Sequence, residues 1–264
     1  MPKKFNVISI KWGTLYNAED ANKLCSAVKR NTSCDIDFYC FTDDGRGLSP
    51  DIIVKPLPVL NVAPEYKRHV YPRTAGFGDV ALGGLTGQRV FYFDLDSLIV
   101  GNLDALFDYP QGDKFYIIND WKHRRGPKKD KVGQGSCYSF VVGTLEFLKS
   151  NFEADPKGVL ATYGTASQQY MSAQVIAHYG ALNFWPDDWF KSFRFHCMRN
   201  CVARWFLAPK KPDIPALKVI AFHGSTNIRD AIEGVWGKGR SAPHGWKKIY
   251  KHVRPSPWVL DYWK

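Results

Sequence analysis

No apolar run in this 264-residue chain approaches the roughly 18 residues that a helical membrane span requires. The stretch FNVISI, after Lys3 and Lys4, is too short for the core of a signal peptide, so the expected location is the cytoplasm. Cysteine is sparse. Cys25, Cys34, Cys40, Cys137, Cys197 and Cys201 are scattered without the spacing of a disulfide framework, which fits a reducing compartment. Cys197 and Cys201 stand near His196, but no second cysteine pair accompanies them, so structural thiols are expected rather than zinc. Acid is in deficit, with 25 Asp and Glu against 36 Lys and Arg and a net charge of +11. That surplus asks for an acidic partner, whether nucleic acid, an anionic membrane surface or a phosphorylated substrate. The basic residues concentrate at 122–131 (KHRRGPKKDK) and 238–254. Basic-aromatic grooves along the whole chain are missing, so no nucleic-acid partner is expected. The segment 122–131 reads as an exposed loop, either simply solvated or gripping a phosphate or an acidic acceptor.

What is present is a chain 45% hydrophobic and 15% aromatic, enough for one large core. Strands and helices alternate. Residues 5–10 read as a first strand, Asn17 as an N-cap with Asp20 three positions on, and Ala21, Leu24, Cys25 and Val28 as the apolar face of a helix. Residues 36–41 and 52–57 read as further strands, the latter stopped by Pro56 and Pro58. Helical character returns at 78–85.

The most informative stretch is 89–102, RVFYFDLDSLIVGN. Val90, Phe91, Tyr92 and Phe93 show no polar alternation and predict a strand buried on both faces. Asp94 and Asp96 lie at its carboxyl end, where open α/β sheets bind ligands, and as residues i and i+2 of an extended segment they point the same way. Two carboxylates so placed suit Mn²⁺ or Mg²⁺. A surface turn with two solvated aspartates is the competing reading, and the apolar flanks weigh against it.

The segment 91–107, FYFDLDSLIVGNLDALF, resembles the metal-binding stretch of GT-A fold glycosyltransferases. It is most similar to the family that includes glycogenin and the bacterial lipopolysaccharide galactosyltransferases, retaining enzymes that use nucleotide-activated sugars and Mn²⁺. The resemblance implies an α/β, Rossmann-like GT-A domain with a mixed, mainly parallel central sheet flanked by helices. It extends to the strand 219–222 followed by His223 and Gly224, where the histidine would be a third metal ligand beside Asp94 and Asp96. It extends also to 164–170, where Gln168 and Gln169 stand at the family's Asp-Gln pair near the donor sugar. Gln168 replaces the acid, so only amide chemistry remains there, and Gln169 is expected to serve the reacting sugar. The family's His-x-x-Gly-x-x-Lys segment is not matched, and Lys238 in GVWGKGR is the substitute cation for the leaving diphosphate. Arg73 is the nearest match to a donor-contacting arginine.

The expected donor site comprises Lys11, Trp12, Gly13, Tyr16, Arg73, Asp94, Leu95, Gly224 and Lys238, with Trp12 either stacking on the base or packing in the core. Asp120 with Trp121, and Asp188 with Trp189, read as polar loops on the acceptor side. Functionally the single domain divides into a nucleotide-sugar half at 1–110, an acceptor and metal-completing half at 111–237, and a basic-aromatic tail at 238–264. In the tail, Lys247, Lys248, Lys251 and Arg254 interleave with Trp246, Tyr250, Trp258, Tyr262 and Trp263, a pattern for peripheral docking on an anionic membrane or for packing onto the domain. The expected activity is metal-dependent transfer from a nucleoside diphosphate sugar, of the UDP type, to a saccharide or lipid-linked acceptor with retention. The alternative is a non-catalytic nucleotide-sugar or polyanion-binding protein on the same fold.

Overall fold

The computed structural model describes residues 3–67, 71–122, 132–224, 226–237 and 242–264. The strands are β1 (Lys4–Lys11), β2 (Asp35–Thr42), β3 (Ile52–Pro56), β4 (Arg89–Phe93) and β5 (Ser97–Ile99), then β6 (Tyr116–Asn119), β7 (Gly133–Val141), β8 (Asn183–Phe184), β9 (Phe190–Ser192) and β10 (Val219–Ala221). The helices are α1 (Ala18–Arg30), α2 (Asp104–Asp108), α3 (Glu146–Ala154), α4 (Pro156–Tyr163), α5 (Ser167–Tyr179) and α6 (Ile228–Glu233). The chain forms two compact units. The first takes Met1–Asn22, Ser33–Leu95 and Asp104–Trp185, and the second takes Lys23–Thr32, Asp96–Leu103 and Pro186–Lys264.

The first unit holds a sheet in the order β3-β2-β1-β4-β7-β6-β8. The first four of these strands run parallel, and β7 joins β4 antiparallel. β4 is buried on both faces, as its unbroken apolar run predicts. On one side Tyr92 stacks on Tyr138 at 4.5 Å between ring centroids and meets Phe77 edge-on at 5.4 Å. On the other, Phe91 meets Phe107 at 4.9 Å and Phe5 at 5.9 Å. The start of α1 follows the sequence reading, because Asn17 accepts from Asp20 N (3.2 Å) while Asp20 accepts from Asn17 N (2.9 Å). The expected helix at 78–85 is instead two short 3₁₀ turns, Ala75–Gly78 and Leu82–Gly84. Gly83 and Gly84 adopt φ of +59° and +81°, which a continuing right-handed helix forbids. α5 begins at Ser167, because Gly164 ends α4 by donating to Leu160 O. It sets Tyr170, Met171 and Val175 into the core of this unit.

The second unit is built on a sheet in the order β5-β10-β9, with β10 antiparallel to β5 and parallel to β9. Asn227 and Asp230 cap α6 reciprocally. The tail is tied down in this unit. Ser256 N donates to Ala231 O (2.9 Å), Trp258 Nε1 to Pro209 O (3.0 Å) and Arg30 Nη1 to Lys264 O (2.7 Å). Trp263 is buried, whereas Trp246 is 70% exposed. No helix among the described residues is long and apolar enough to cross a membrane.

Gly78 is a packing constraint, since a Cβ there would lie 2.6 Å from Leu145 O and 2.8 Å from Lys149 N. Backbone atoms cannot yield as a side-chain tip does. Gly78→Ala is expected to cost about 1–3 kcal/mol in denaturant unfolding, and a stability equal to wild type would show that α3 shifts without penalty.

Candidate functional site

In the first unit the residues of interest gather at the carboxyl ends of β1, β2 and β4. Lys11 closes β1 opposite Thr42 and is buried, and Trp12 beyond it is 36% exposed, so this indole is not core packing. Gly13 turns with φ +63° and donates to Asp43 Oδ2 at 3.0 Å. Tyr16 is half-buried nearby in sequence.

Asp94 extends the β4 ladder by donating from its N to Ser136 O (2.9 Å). Its carboxylate accepts from Tyr92 Oη at 2.5 Å and lies 3.6 Å from Arg73 Nη1. Burial pushes the Tyr92 phenol well above its ordinary value, and the Asp94 carboxylate and the Tyr138 phenol push the same way, opposed by Arg73. A neutral Tyr92 is therefore a permanent donor to Asp94. Arg73 is itself anchored through its carbonyl, which accepts from Tyr138 Oη at 2.8 Å. Leu95, the next residue, is buried.

Gln168 reaches Asp120 Oδ2 at 3.4 Å through its Nε2, and its Oε1 accepts from Gly135 N at 3.4 Å. A residue expected at the donor and one expected at the acceptor thus meet. Asp120 and Trp121 differ from a surface loop, because both are buried, and Asp120 accepts from Lys122 N at 2.9 Å. Gln169 is half-buried on the first turn of α5. Sequence reasoning missed Gln134 and Ser136, a buried pair in β7 joined by Gln134 Nε2→Ser136 Oγ (2.7 Å) and Ser136 N→Gln134 Oε1 (2.9 Å). The signal available was polar residues between glycines in the run GQGS ahead of an apolar strand.

In the second unit β10 delivers His223 next to the backbone of Asp96, since Phe222 N donates to Asp96 O at 3.2 Å. The imidazole is held by Ser192, whose Oγ shares a 2.7 Å hydrogen bond with His223 Nε2 and accepts from Phe195 N at 3.2 Å. Gly224 takes φ +89°, so the chain turns sharply after the histidine. Asp188 is exposed and pairs with Lys191 at 3.0 Å, while Lys218 Nζ sits 4.9 Å over the Trp189 ring. Burial raises the Cys197 thiol to about 12, which keeps it protonated, and His196 Nδ1 accepts from Ser192 N at 3.0 Å. Lys238 and residues 123–131 lie outside the described residues.

Among the described residues no three or more of His, Cys, Asp and Glu form a ready cluster for a metal. The donor types nevertheless fit a hard divalent ion. Asp94 and Asp96 offer carboxylate oxygen, and His223 has in Ser192 the outer hydrogen-bond partner that fixes a ligating imidazole.

No family model matches the chain, and no curated protein matches it. Solved structures do. An active-site mutant of LgtC aligns with TM-score 0.53 and 13% identity over 93% of this chain and 94% of that one. The galactosyltransferase LgtC in complex with donor and acceptor sugar analogs gives 0.52 and 13% over 85% and 89%. The bifunctional glycosyltransferase WbbM gives 0.51 and 13% over 86% of this chain and 47% of that one. At this identity the likeness establishes the fold, the GT-A arrangement with its mainly parallel sheet.

Removing the Ser192 hydroxyl orphans Phe195 N and releases His223. Ser192→Ala is expected to lower stability by about 1–3 kcal/mol and to change the tautomer balance of His223 in nitrogen-detected NMR. An unchanged imidazole spectrum would show that Ser192 does not orient the ring.

Proposed function

We propose that this chain, with its GT-A fold, is a metal-dependent glycosyltransferase that moves a sugar from a nucleoside diphosphate sugar, of the UDP type, to a saccharide or lipid-linked acceptor with retention. The observation that carries this reading is the pairing of β5 with β10, which sets His223 beside the second aspartate of the D-x-D run. Asp94, Asp96 and His223 would hold Mn²⁺ or Mg²⁺. Such an ion, when bound, neutralises the departing diphosphate as a Lewis acid.

The chain's own residues supply the rest. Trp12 presents an indole face for the base, and Lys11, the last residue of β1, a cation. Arg73 and Tyr92 hold the Asp94 carboxylate at the end of β4 through an ion pair and a hydrogen bond. Gln168 is occupied by Asp120 and Gly135, which leaves Gln169 as the amide for the reacting sugar, where its oxygen favours positive charge at the anomeric carbon. Asp188 and Trp189 offer the acceptor a carboxylate and an apolar ring. The second reading, a nucleotide-sugar or polyanion binder without turnover, uses the same donor groups and differs only in product formation.

A peripheral membrane position is part of the proposal, supported by a turn at 202–207 that is bonded to the tail. Trp258 and Trp263 pack into the second unit, but Val202, Trp205, Phe206 and Leu207 are exposed together, Phe206 by 76%. The turn is tied down by side-chain bonds, because Arg204 donates to Arg199 O (2.9 Å) and Tyr250 O (2.9 Å), and Arg254 donates to Trp205 O (2.9 Å). An aromatic patch braced by arginines in a chain of net charge +11 suits a surface of anionic headgroups.

Calorimetric titration of UDP-sugars with Mn²⁺ tests the catalytic reading. Wild type is expected to bind one donor only with metal present, Asp96→Ala to lose that binding with its melting temperature kept, and His223→Ala to lose less. Unchanged affinity in Asp96→Ala would remove the basis for a metal-dependent enzyme. Co-sedimentation tests the membrane position. Wild type is expected to pellet with anionic vesicles at low salt, and Phe206→Ser with Trp246→Ser to stay in the supernatant, while equal wild-type recovery with and without vesicles would end that idea.

A further inference from the structure

At the opposite end of β4 from Asp94 the first unit carries a cleft of about 390 Å³, formed by the turn after β7, the start of α3 and the end of α5. Arg89 opens β4 opposite Val141 and Phe93 ends it opposite Cys137, so the turn that follows Val141 lies about 15 Å along the strand from the aspartate. The cleft is therefore separate from the donor groups. Its volume falls in the range of small-molecule sites, about 300–1,000 Å³, and gives room for a disaccharide.

Three rings build one wall. Phe147 and His178 stack at 4.2 Å with 12° between their planes, and Tyr179 stands across them at 76° and 85°. The fold does not close this corner, because His178 is exposed and Tyr179 keeps 47% of its surface in solvent. The corner is held in place all the same, since Phe147 packs against the core and Tyr179 Oη donates to Thr144 O at 2.7 Å. A ligand that stacks there meets rings already positioned, which lowers the ordering cost of binding.

The other wall accepts hydrogen bonds. Glu146 brings a carboxylate, and the Thr144 and Ser150 hydroxyls spend their protons on Val141 O (2.9 Å) and Glu146 O (3.2 Å), which leaves their oxygens as acceptors. Among the described residues no lysine or arginine lines the cleft, so a phosphate would meet a carboxylate there with no cation to offset it. A polycation is disfavoured by the net charge of +11. Aromatic rings beside a row of acceptors call for a neutral ligand rich in hydroxyl donors, and a sugar ring joins such hydroxyls to an apolar C–H face.

We propose that this cleft is a second saccharide subsite, taking a neutral, disaccharide-sized stretch of glycan whose ring face rests in the aromatic corner and whose hydroxyls donate to Glu146, Thr144 and Ser150. The source of that glycan rests on the glycosyltransferase reading, as a stretch of a long acceptor remote from the bond being formed.

Ligand-observed NMR with lactose and maltose, without nucleotide or metal, tests the subsite. Wild type is expected to bind at least one of the two in the millimolar range. Tyr179→Ala is expected to weaken that binding by at least about tenfold, whereas Tyr179→Phe, which keeps the ring, stays within about twofold of wild type. Glu146→Gln, which keeps the shape and removes the charge, is expected to cost about fivefold. Failure of both disaccharides to bind wild type overturns the subsite, as does equal binding by wild type and Tyr179→Ala. Binding of spermidine with neither disaccharide bound also overturns it, in favour of a cation site. UDP with Mn²⁺ is titrated separately. Disaccharide binding as expected with no binding of UDP leaves the subsite standing while the nucleotide-sugar reading falls.

Discussion

A carboxylate at the end of a strand buried on both faces has to be compensated, and the first unit is arranged around that requirement. Asp94 leaves β4 at the edge of a core of Tyr92, Tyr138, Phe77 and Phe140, where a polar group without partners is costly. The compensation comes from the same aromatic layer. Tyr92 donates to the carboxylate, and Tyr138 grips the backbone of Arg73 so that its guanidinium stands at 3.6 Å. Two phenols that look like core packing therefore do electrostatic positioning.

The second unit solves a different problem, that of presenting an imidazole in one orientation. Three short strands are enough, because β10 is buried and its backbone bonds continue past the strand end to Asp96 O. Ser192, at the end of β9, closes the arrangement by holding both His223 and the turn that carries Arg194. One hydroxyl thus couples the ring to the cation beside it.

At 13% identity the likeness to the aligned glycosyltransferases is one of fold. The fold is carried by the sheet, with the buried runs of β1, β2 and β4 at its centre, and the loops beyond the strand ends are where chemistry is set.

The order of β1, α1, β2, β3 and β4, the capping of α1 by Asn17 and the position of the aspartates were legible in the chain itself, since they depend on local pattern: apolar runs, a side-chain cap and chain punctuation. The helix expected at 78–85 failed for a local reason too, the two glycines at positive φ. What only the tertiary structure decided involves partners distant in sequence. Gln168 finds Asp120 across 48 residues, His223 finds Ser192 across 31, and Arg73 is aimed by Tyr138 across 65. The burial of Asp120 and Trp121, the exposure of Trp12 and Phe206, and the indole donor of Trp236, unpaired among the described residues, follow from packing of the whole unit, which no run of neighbouring residues encodes.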